Sequence, residues 1–520
     1  MCAAVIAASV LLMAAASAAG PSLVVPALPQ TWPVPPWWLP LHLSRFSAGA
    51  LTWAAVLLGA VGVGCGLVAV RRGARPPARL LLAAGLTAVA LFTVLPPAGS
   101  TDSLSYAAQG RIVLTGHSPY LMTPAQLRAS GDPVGLQGTR NWADQRSVYG
   151  PLATAGEWAA AELGGESIGR IVFWLKVWLA LAFGGVALLL DWVLRAQPAE
   201  RARAHLLWSV NPLMLWAVMA GGHVDGLAAC LGLAGLVAAC RTRLGWAAAL
   251  GAGVLVGAAA LVKILFGVFL AGAGWVSRRS PAALAAGGLG AGLTLGTGYL
   301  IAGPTALRNL RSAGSWQGMD GVWRIVTGFG SMPTWLSPVA LLACVALATL
   351  LAWRLPPGLP ALPAIRAALA LTLAWLLLWP MQRSWYDASV YCLLAVFPAS
   401  RLDWVLLVRS VPTTLDLIMG HSAPPSVAMH PLSTASRPSP HGRPGAGLLF
   451  GWLRPLTAHT AELLVVPVVR LGAVLAVVVL CVTAAWGTQP PGPDGLDGEV
   501  QQPRPGSKSV RQQQAAHLGG

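Results

Sequence analysis

Long apolar runs alternate with short polar intervals along most of this chain. The apolar runs cover residues 2–19, about 46–70, 79–98, 168–194, 204–220, 224–240, 246–277, 281–302, 334–353, 363–380, 386–420 and 462–486. One helical crossing of a bilayer takes about 20 apolar residues, so most of these runs fit a single span. Two are too long. Lys263 lies near the middle of 246–277, and a lysine at the bilayer centre costs about 2.5–3.5 kcal/mol. The pattern therefore predicts two helices with Lys263 at the break. Pro398, Arg401 and Asp403 interrupt 386–420 in the same way. The sum is an all-α, polytopic membrane protein with about 14 transmembrane helices.

Composition agrees with this pattern. The chain is 56% hydrophobic and 10% charged, against about 25% charged in a soluble domain. Its net charge of +17 does not signal nucleic acid, because the Lys and Arg residues sit in short clusters between apolar runs, where they set topology. The seven cysteines fall almost entirely within apolar runs and form no CxxC, which excludes a disulfide framework from the expectations. Residues 2–19 lack a basic leader and read as an uncleaved first span. The Pro-rich stretch that follows, with Trp32, Trp37 and Trp38, suits the headgroup region. The organisation expected is a membrane domain over 1–420, a Pro/Ser/His-rich disordered external insert over 421–448, a final membrane segment over 449–486 and a disordered cytoplasmic tail over 487–520.

The basic clusters orient the spans. Arg71, Arg72, Arg75 and Arg79, then Arg195, Arg201 and Arg203, then Arg241 and Arg243, Arg278 and Arg279, and Arg354 and Arg366 all fall on one side once the chain breaks at Lys263, and that side is taken as cytoplasmic. The opposite face then collects the loop 99–165, the turn GGHVDG at 221–226, Lys263, the loop 303–333 and QRSWYD at 382–387. These segments carry Asp102, His223, Asp225, Lys263, Arg324, Arg383, Tyr386 and Asp387. Charges placed so tightly between apolar runs, all on one membrane face, read as a site.

The stretch TDSLSYAAQGRIVLTGHSPY, residues 101–120, opens the first large external loop. Asp102, Tyr106 and Gln109 recur there at helical spacing, placing a carboxylate, a phenol and an amide on one helix face. If the face handles a sugar carried on a lipid phosphate, it needs a carboxylate to take a proton from the attacking hydroxyl and cations for the departing phosphate. Asp102 is the candidate base, and Lys263 and Arg383 are the candidate phosphate ligands. Three roles are open to His223 and Asp225: acceptor contacts, part of a divalent-cation site, or a hydrogen bond to each other. For Asp225 and Asp387, capping of the following helix is a competing role. Glu157, Glu162 and Glu166 read as solvated, and Asp191 with Arg195 as a structural ion pair. His421, His430 and His441 in the insert have irregular spacing and no acidic partners, a poor metal set. There is no phosphate loop and no GxGxxG to cradle a nucleotide.

Taken together, SYAAQGRIVLTGHSPY, SVYGPLA, Asn211-Pro212 followed by GGHVDG, the lysine of LVKI, and WYDA followed by RLDW resemble the actinobacterial polyprenyl-phosphomannose-dependent α-1,6-mannopyranosyltransferases, a family of the GT-C class. The resemblance covers residues 80–420. It implies GT-C architecture in the plasma membrane and an extracytoplasmic active site. It also implies transfer of mannose with inversion from polyprenyl phosphomannose to a lipid-anchored α-1,6-mannan in lipomannan and lipoarabinomannan synthesis. Asp102 is the position matching the class's catalytic acidic residue, and Tyr106, Gln109, Tyr120, His223, Asp225, Tyr386 and Asp387 are the candidate sugar or acceptor contacts. Many class members carry paired acidic residues in that loop, whereas Asp102 stands between Thr101 and Ser103, which leaves the metal unassigned. The rival readings are a transporter or flippase of a lipid-linked sugar and a GT-C enzyme for another sugar. A transporter should bring polar residues to the midplane from two related halves, and no internal repeat is visible.

Overall fold

The structure is a computed structural model that describes residues 1–22, 24–41, 43–138, 141–241, 245–313, 322–327, 333–418 and 466–488. All regular elements among these are helical. The insert 421–448 and nearly all of the 487–520 tail, with His421, His430 and His441, lie outside the described residues, as does the side chain of Arg324.

Helices α1 (Cys2–Ala18), α2 (Arg45–Arg71) and α3 (Ala78–Val94) form the first apolar layer. The 99–165 loop then folds as α4 (Asp102–Leu114), α5 (Pro124–Ala129), α6 (Pro133–Gln137) and α7 (Pro151–Gly164). The last three each begin on a proline, which lacks the N–H that the first turn would leave unpaired. After α8 (Ile168–Val193) and α9 (Pro198–Leu207), the single turn α10 (Pro212–Met214) runs into a π-helical turn, Leu215–Ala220. Next come α11 (Asp225–Ala239), α12 (Gly245–Val262), α13 (Phe269–Ser277), α14 (Pro281–Ala302) and α15 (Pro304–Ala313). The carboxyl-terminal part holds α16 (Trp323–Thr327), α17 (Leu336–Arg354), α18 (Ala364–Leu378), α19 (Ala388–Leu394), α20 (Leu402–Ile418) and α21 (Val466–Thr483).

Five of these helices are long and apolar enough to cross a membrane alone: Ser47–Arg71 within α2, and α8, α12, α14 and α17. The Pro198–Ala220 segment and α11 pass the same test as one unit bent by 116°. Five further apolar helices are shorter, such as α1 and α3 at 17 residues each. Seventeen residues span about 26 Å at 1.5 Å per residue, just under the ~30 Å hydrocarbon core. Among the described residues, length and apolarity alone thus identify five or six crossings, short of the fourteen expected, because several apolar runs fold as helices of 17 residues or fewer.

Both expected breaks are present. Lys263 ends α12 in an extended conformation (φ −150°, ψ 119°) and is followed by a 3₁₀ turn, Ile264–Val268. Residues 395–401 separate α19 from α20. Arg71 and Arg203 meet at Asp403, with Arg203 Nη2 2.6 Å from its carboxylate. Thus Arg residues from two basic clusters far apart in the chain converge on one acidic partner. The expected Asp191–Arg195 pair does not form: Asp191 accepts two hydrogen bonds from Arg201, at 2.6 and 2.7 Å, and contacts His205 Nε2 at 3.0 Å. Arg201, on the next helix, offers the two-pronged geometry that the i,i+4 neighbour does not.

Two glycines let backbones approach around the 99–165 loop. A Cβ on Gly110 of α4 would lie 2.1 Å from the Glu157 carbonyl oxygen of α7, and one on Gly150 would lie 2.0 Å from the Leu261 carbonyl oxygen. Neither distance admits a side chain. The loop is thereby seated against α7 and against the end of α12, next to Lys263.

Candidate functional site

Asp102 is the first residue of α4 and is preceded by Leu95-Pro96-Pro97, two of whose residues have no N–H. Other elements hold this segment in place. Lys176, buried in α8, donates to the Leu95 carbonyl at 2.7 Å, and Ala98 N–H donates to the Ala220 carbonyl at 3.0 Å. The second bond ties the approach to Asp102 to the end of the π-helical turn. Gly222, at φ +70°, then reverses the chain. His223 follows, with Nδ1 2.6 Å from the Ala217 carbonyl and its ring stacked on Trp385 at 3.7 Å between centroids.

His223 Nε2 lies 3.6 Å from Asp102 Oδ2, too far for a hydrogen bond but within ionic contact. It is buried with no hydrogen-bond partner among the described residues. Asp102 is itself only 7% exposed. Burial pushes its carboxyl pKa up, but His223, Arg383 and Lys263 outweigh that and hold it below the ordinary aspartate range. Asp102 is thus kept ionised although almost buried.

Asp225 begins α11 with a fully buried side chain. Lys263 Nζ donates to both its oxygens, at 2.8 and 2.9 Å, and lies 4.1 Å from the centre of the Tyr386 ring. The helix break at Lys263 is what brings the ammonium to this carboxylate. Arg383 precedes a 3₁₀ turn, Ser384–Asp387.

Asp102, Tyr106, Gln109, Lys263, Arg383 and Tyr386 line one cavity of about 310 Å³. The helical spacing of 102, 106 and 109 therefore does present one face. Ile264, Leu265, Leu310, Trp375, Trp379 and Met381 supply an apolar wall to the same cavity. The hydroxyl of Tyr106 donates to that of Tyr149 at 2.9 Å, and the rings meet edge to face. Burial raises both phenol pKa values well above the ordinary range, so both remain neutral hydrogen-bonding groups.

The structure separates other expected residues from this cavity. Asp387 is buried away from it, bonded to Arg409 and to Ser410 Oγ at 2.6 Å. It fixes α19 to α20 and is not a cavity contact. Tyr120 lies behind the cavity wall, its hydroxyl 3.0 Å from Thr154 Oγ1 and 3.2 Å from the Tyr149 carbonyl. His223 and Asp225 form a second layer behind Asp102 and Lys263. Lys263 occupies both Asp225 oxygens, which takes Asp225 out of a cation site; the Ala217 carbonyl on Nδ1 leaves His223 Nε2 open toward Asp102, but no group of three metal-ligating side chains occurs among the described residues. Sequence reasoning overlooked Arg146, Trp142, Trp375 and Trp379, all of which line the cavity. The one available signal was the position of Arg146 just before the SVYGPLA block.

Glu157 is also not where it was expected. Glu162 and Glu166 are exposed, but Glu157 is 1% exposed and neither carboxyl oxygen has a partner among the described residues. Burial pushes its pKa up to about 8. An unfolded glutamate ionises near 4.3, so between those values the folded chain holds the proton longer and stability falls as pH rises. The loss should reach about 4–5 kcal/mol by pH 8. Glu157→Gln, which cannot ionise, should flatten this dependence. Thermal midpoints in detergent at pH 5 and pH 8 test it, and equal slopes for both proteins would refute the assignment.

Comparison with known proteins bears on this site. Residues 4–279 match the family model described as "Alpha-(1->6)-mannopyranosyltransferase, N-terminal domain". An alpha-(1->6)-mannopyranosyltransferase of Mycobacterium tuberculosis is 31% identical over 151 residues, which is 28% of this chain and 25% of that protein. A probable alpha-(1->6)-mannopyranosyltransferase of Mycolicibacterium smegmatis is 28% identical over 148 residues, 28% of this chain and 26% of that protein. The matches thus span about a quarter of each curated relative's length. No solved structure matches. Because the family model covers more than half of the chain, including Asp102, His223, Asp225 and Lys263, the chain belongs to the alpha-(1->6)-mannopyranosyltransferase family.

Proposed function

We propose that this protein is a GT-C-type membrane glycosyltransferase that moves mannose from polyprenyl phosphomannose to an α-1,6-mannan acceptor on the extracytoplasmic face of the plasma membrane. The observation that carries the reading is one cavity in which a buried, ionised Asp102 faces two cations, Lys263 and Arg383, across from an apolar, tryptophan-rich wall. A lipid phosphosugar has matching parts: an apolar tail, an anionic phosphate and a polar ring.

The reaction is a single displacement. Asp102 takes the proton of the acceptor hydroxyl, whose oxygen attacks the anomeric carbon as the bond from that carbon to the phosphate oxygen breaks, inverting the configuration. The departing polyprenyl phosphate gains negative charge, which Arg383 and Lys263 stabilise in a cavity of low dielectric. Asp225 holds the lysine ammonium in place, and His223 fixes the environment of Asp102 through its stack on Trp385. Tyr106, Gln109 and Tyr386 are placed to contact the sugar.

Membranes containing the protein should transfer radiolabelled mannose from polyprenyl phosphomannose to an α-1,6-mannoside, and membranes without it should not. Absence of transfer with this donor, or equal transfer from another lipid-linked sugar, would defeat the assignment. Single cysteines at the exposed loop positions 144 and 166 should react with impermeant reagents from outside in intact cells; reaction only after the cytoplasm is opened would overturn the topology.

A further inference from the structure

A second cleft, of about 490 Å³, lies beside the cavity and shares Gln145, Arg146 and Val148 with it. Its size is within the range of ligand sites, about 300–1,000 Å³, and its lining is of a different kind. Where the cavity has an apolar wall, the cleft is edged by Thr123, Gln126, Asp144, Gln145, Asn309 and Ser312. We infer that this cleft binds the already polymerised part of the glycan acceptor, the sugar units behind the one whose hydroxyl reaches Asp102.

The hydrogen bonds within the protein determine what the cleft can offer. Asn309 uses its side-chain NH2 on the Tyr120 and Ser147 carbonyls, at 3.0 and 3.2 Å, which pins α15 to the external loop and leaves its carbonyl oxygen as an acceptor. Gln126 Oε1 accepts the Thr123 N–H at 2.8 Å in a capping box, so its NH2 remains as a donor. Asp144 is exposed and forms no ion pair among the described residues. Donors and acceptors side by side suit vicinal hydroxyls, each of which both gives and takes a hydrogen bond. Asp144 and Arg146 both line the cleft, so it carries no excess positive charge to select a phosphate or other anion, and its apolar residues, Ala125, Ala129 and Val148, are too small to hold a lipid tail. A neutral polyhydroxylated chain fits both conditions. The shared wall sets the direction, because a glycan lying in the cleft has only Gln145–Val148 between it and the cavity.

This inference rests on the proposed transferase reading, so its test reads acceptor length separately from chemistry. Purified full-length protein in lipid nanodiscs is supplied with polyprenyl phosphomannose and either a di- or a hexa-α-1,6-mannoside. Ala125→Trp fills the cleft, and the double variant Asp144→Ala/Gln126→Ala removes its polar edge with little change of volume. Both should lower the ratio of kcat/KM for the long acceptor over the short one at least tenfold, through KM of the long acceptor, and both should weaken equilibrium binding of the hexamannoside measured without donor. A ratio that stays at the wild-type value in both variants, with unchanged hexamannoside binding, would overturn the cleft assignment. No transfer by the wild-type protein to either acceptor would defeat the transferase reading instead, and the binding measurement would still decide the cleft.

Discussion

Asp102→Asn is expected to reduce mannose transfer by about 10²–10⁴-fold, the usual contribution of a positioned general base. The substitution preserves shape and burial but removes the proton acceptor, so the loss should appear in kcat while donor binding persists. The wild-type pH profile provides a second check. Because its neighbours hold the Asp102 pKa down, the base form persists as pH falls and is lost only on passing below the depressed value. The acid limb of kcat/KM should therefore lie below about 3.9, the ordinary aspartate value. Replacing His223 with Phe, which can keep the stack on Trp385 but removes the nitrogen facing the carboxylate, should move that limb upward. Normal turnover by Asp102→Asn in membranes with undiminished protein would exclude this residue from the mechanism.

The second large effect concerns Lys263. Lys263→Met leaves the Asp225 carboxylate fully buried without its partner, and breaking such a pair costs about 3–5 kcal/mol. The thermal midpoint in detergent should fall and transfer should be lost. The double variant Lys263→Met/Asp225→Asn removes both charges and should recover most of the lost stability. Transfer should remain low, because the departing phosphate has lost a cation. If the double variant regains both stability and transfer, the lysine serves only to neutralise Asp225 and has no part in phosphate stabilisation.

Much of this arrangement is legible in local sequence. The lysine in the middle of 246–277 points to a break, and the chain does break at Lys263; Lys176, by contrast, stays inside an unbroken α8 because the Leu95 carbonyl accepts its hydrogen bond. The three-and-four spacing of Asp102, Tyr106 and Gln109 is a property of one helix, and those side chains do share one cavity. Partner choice was not legible. Lys263 and Asp225 are 38 residues apart and Asp387 and Arg409 are 22 apart, so which carboxylate a cation meets depends on which helices pack together. The same limit explains the error over Glu157. Its helix reads as a surface element, yet Gly110 admits α4 so closely that the carboxyl is buried.

The sequence by itself determined the helical membrane class, the helix breaks and the set of polar residues that have no place in lipid, because the cost of burying charge in an apolar run is a local quantity. Only the tertiary structure decided which of those residues share a cavity and which merely join helices. Asp102, Lys263 and Arg383 face a common space, Asp387 is sealed against Arg409, and Trp142, Trp375 and Trp379 enter the wall from segments with no distinguishing pattern. Those outcomes depend on contacts between elements far apart in the chain, where no periodicity reaches.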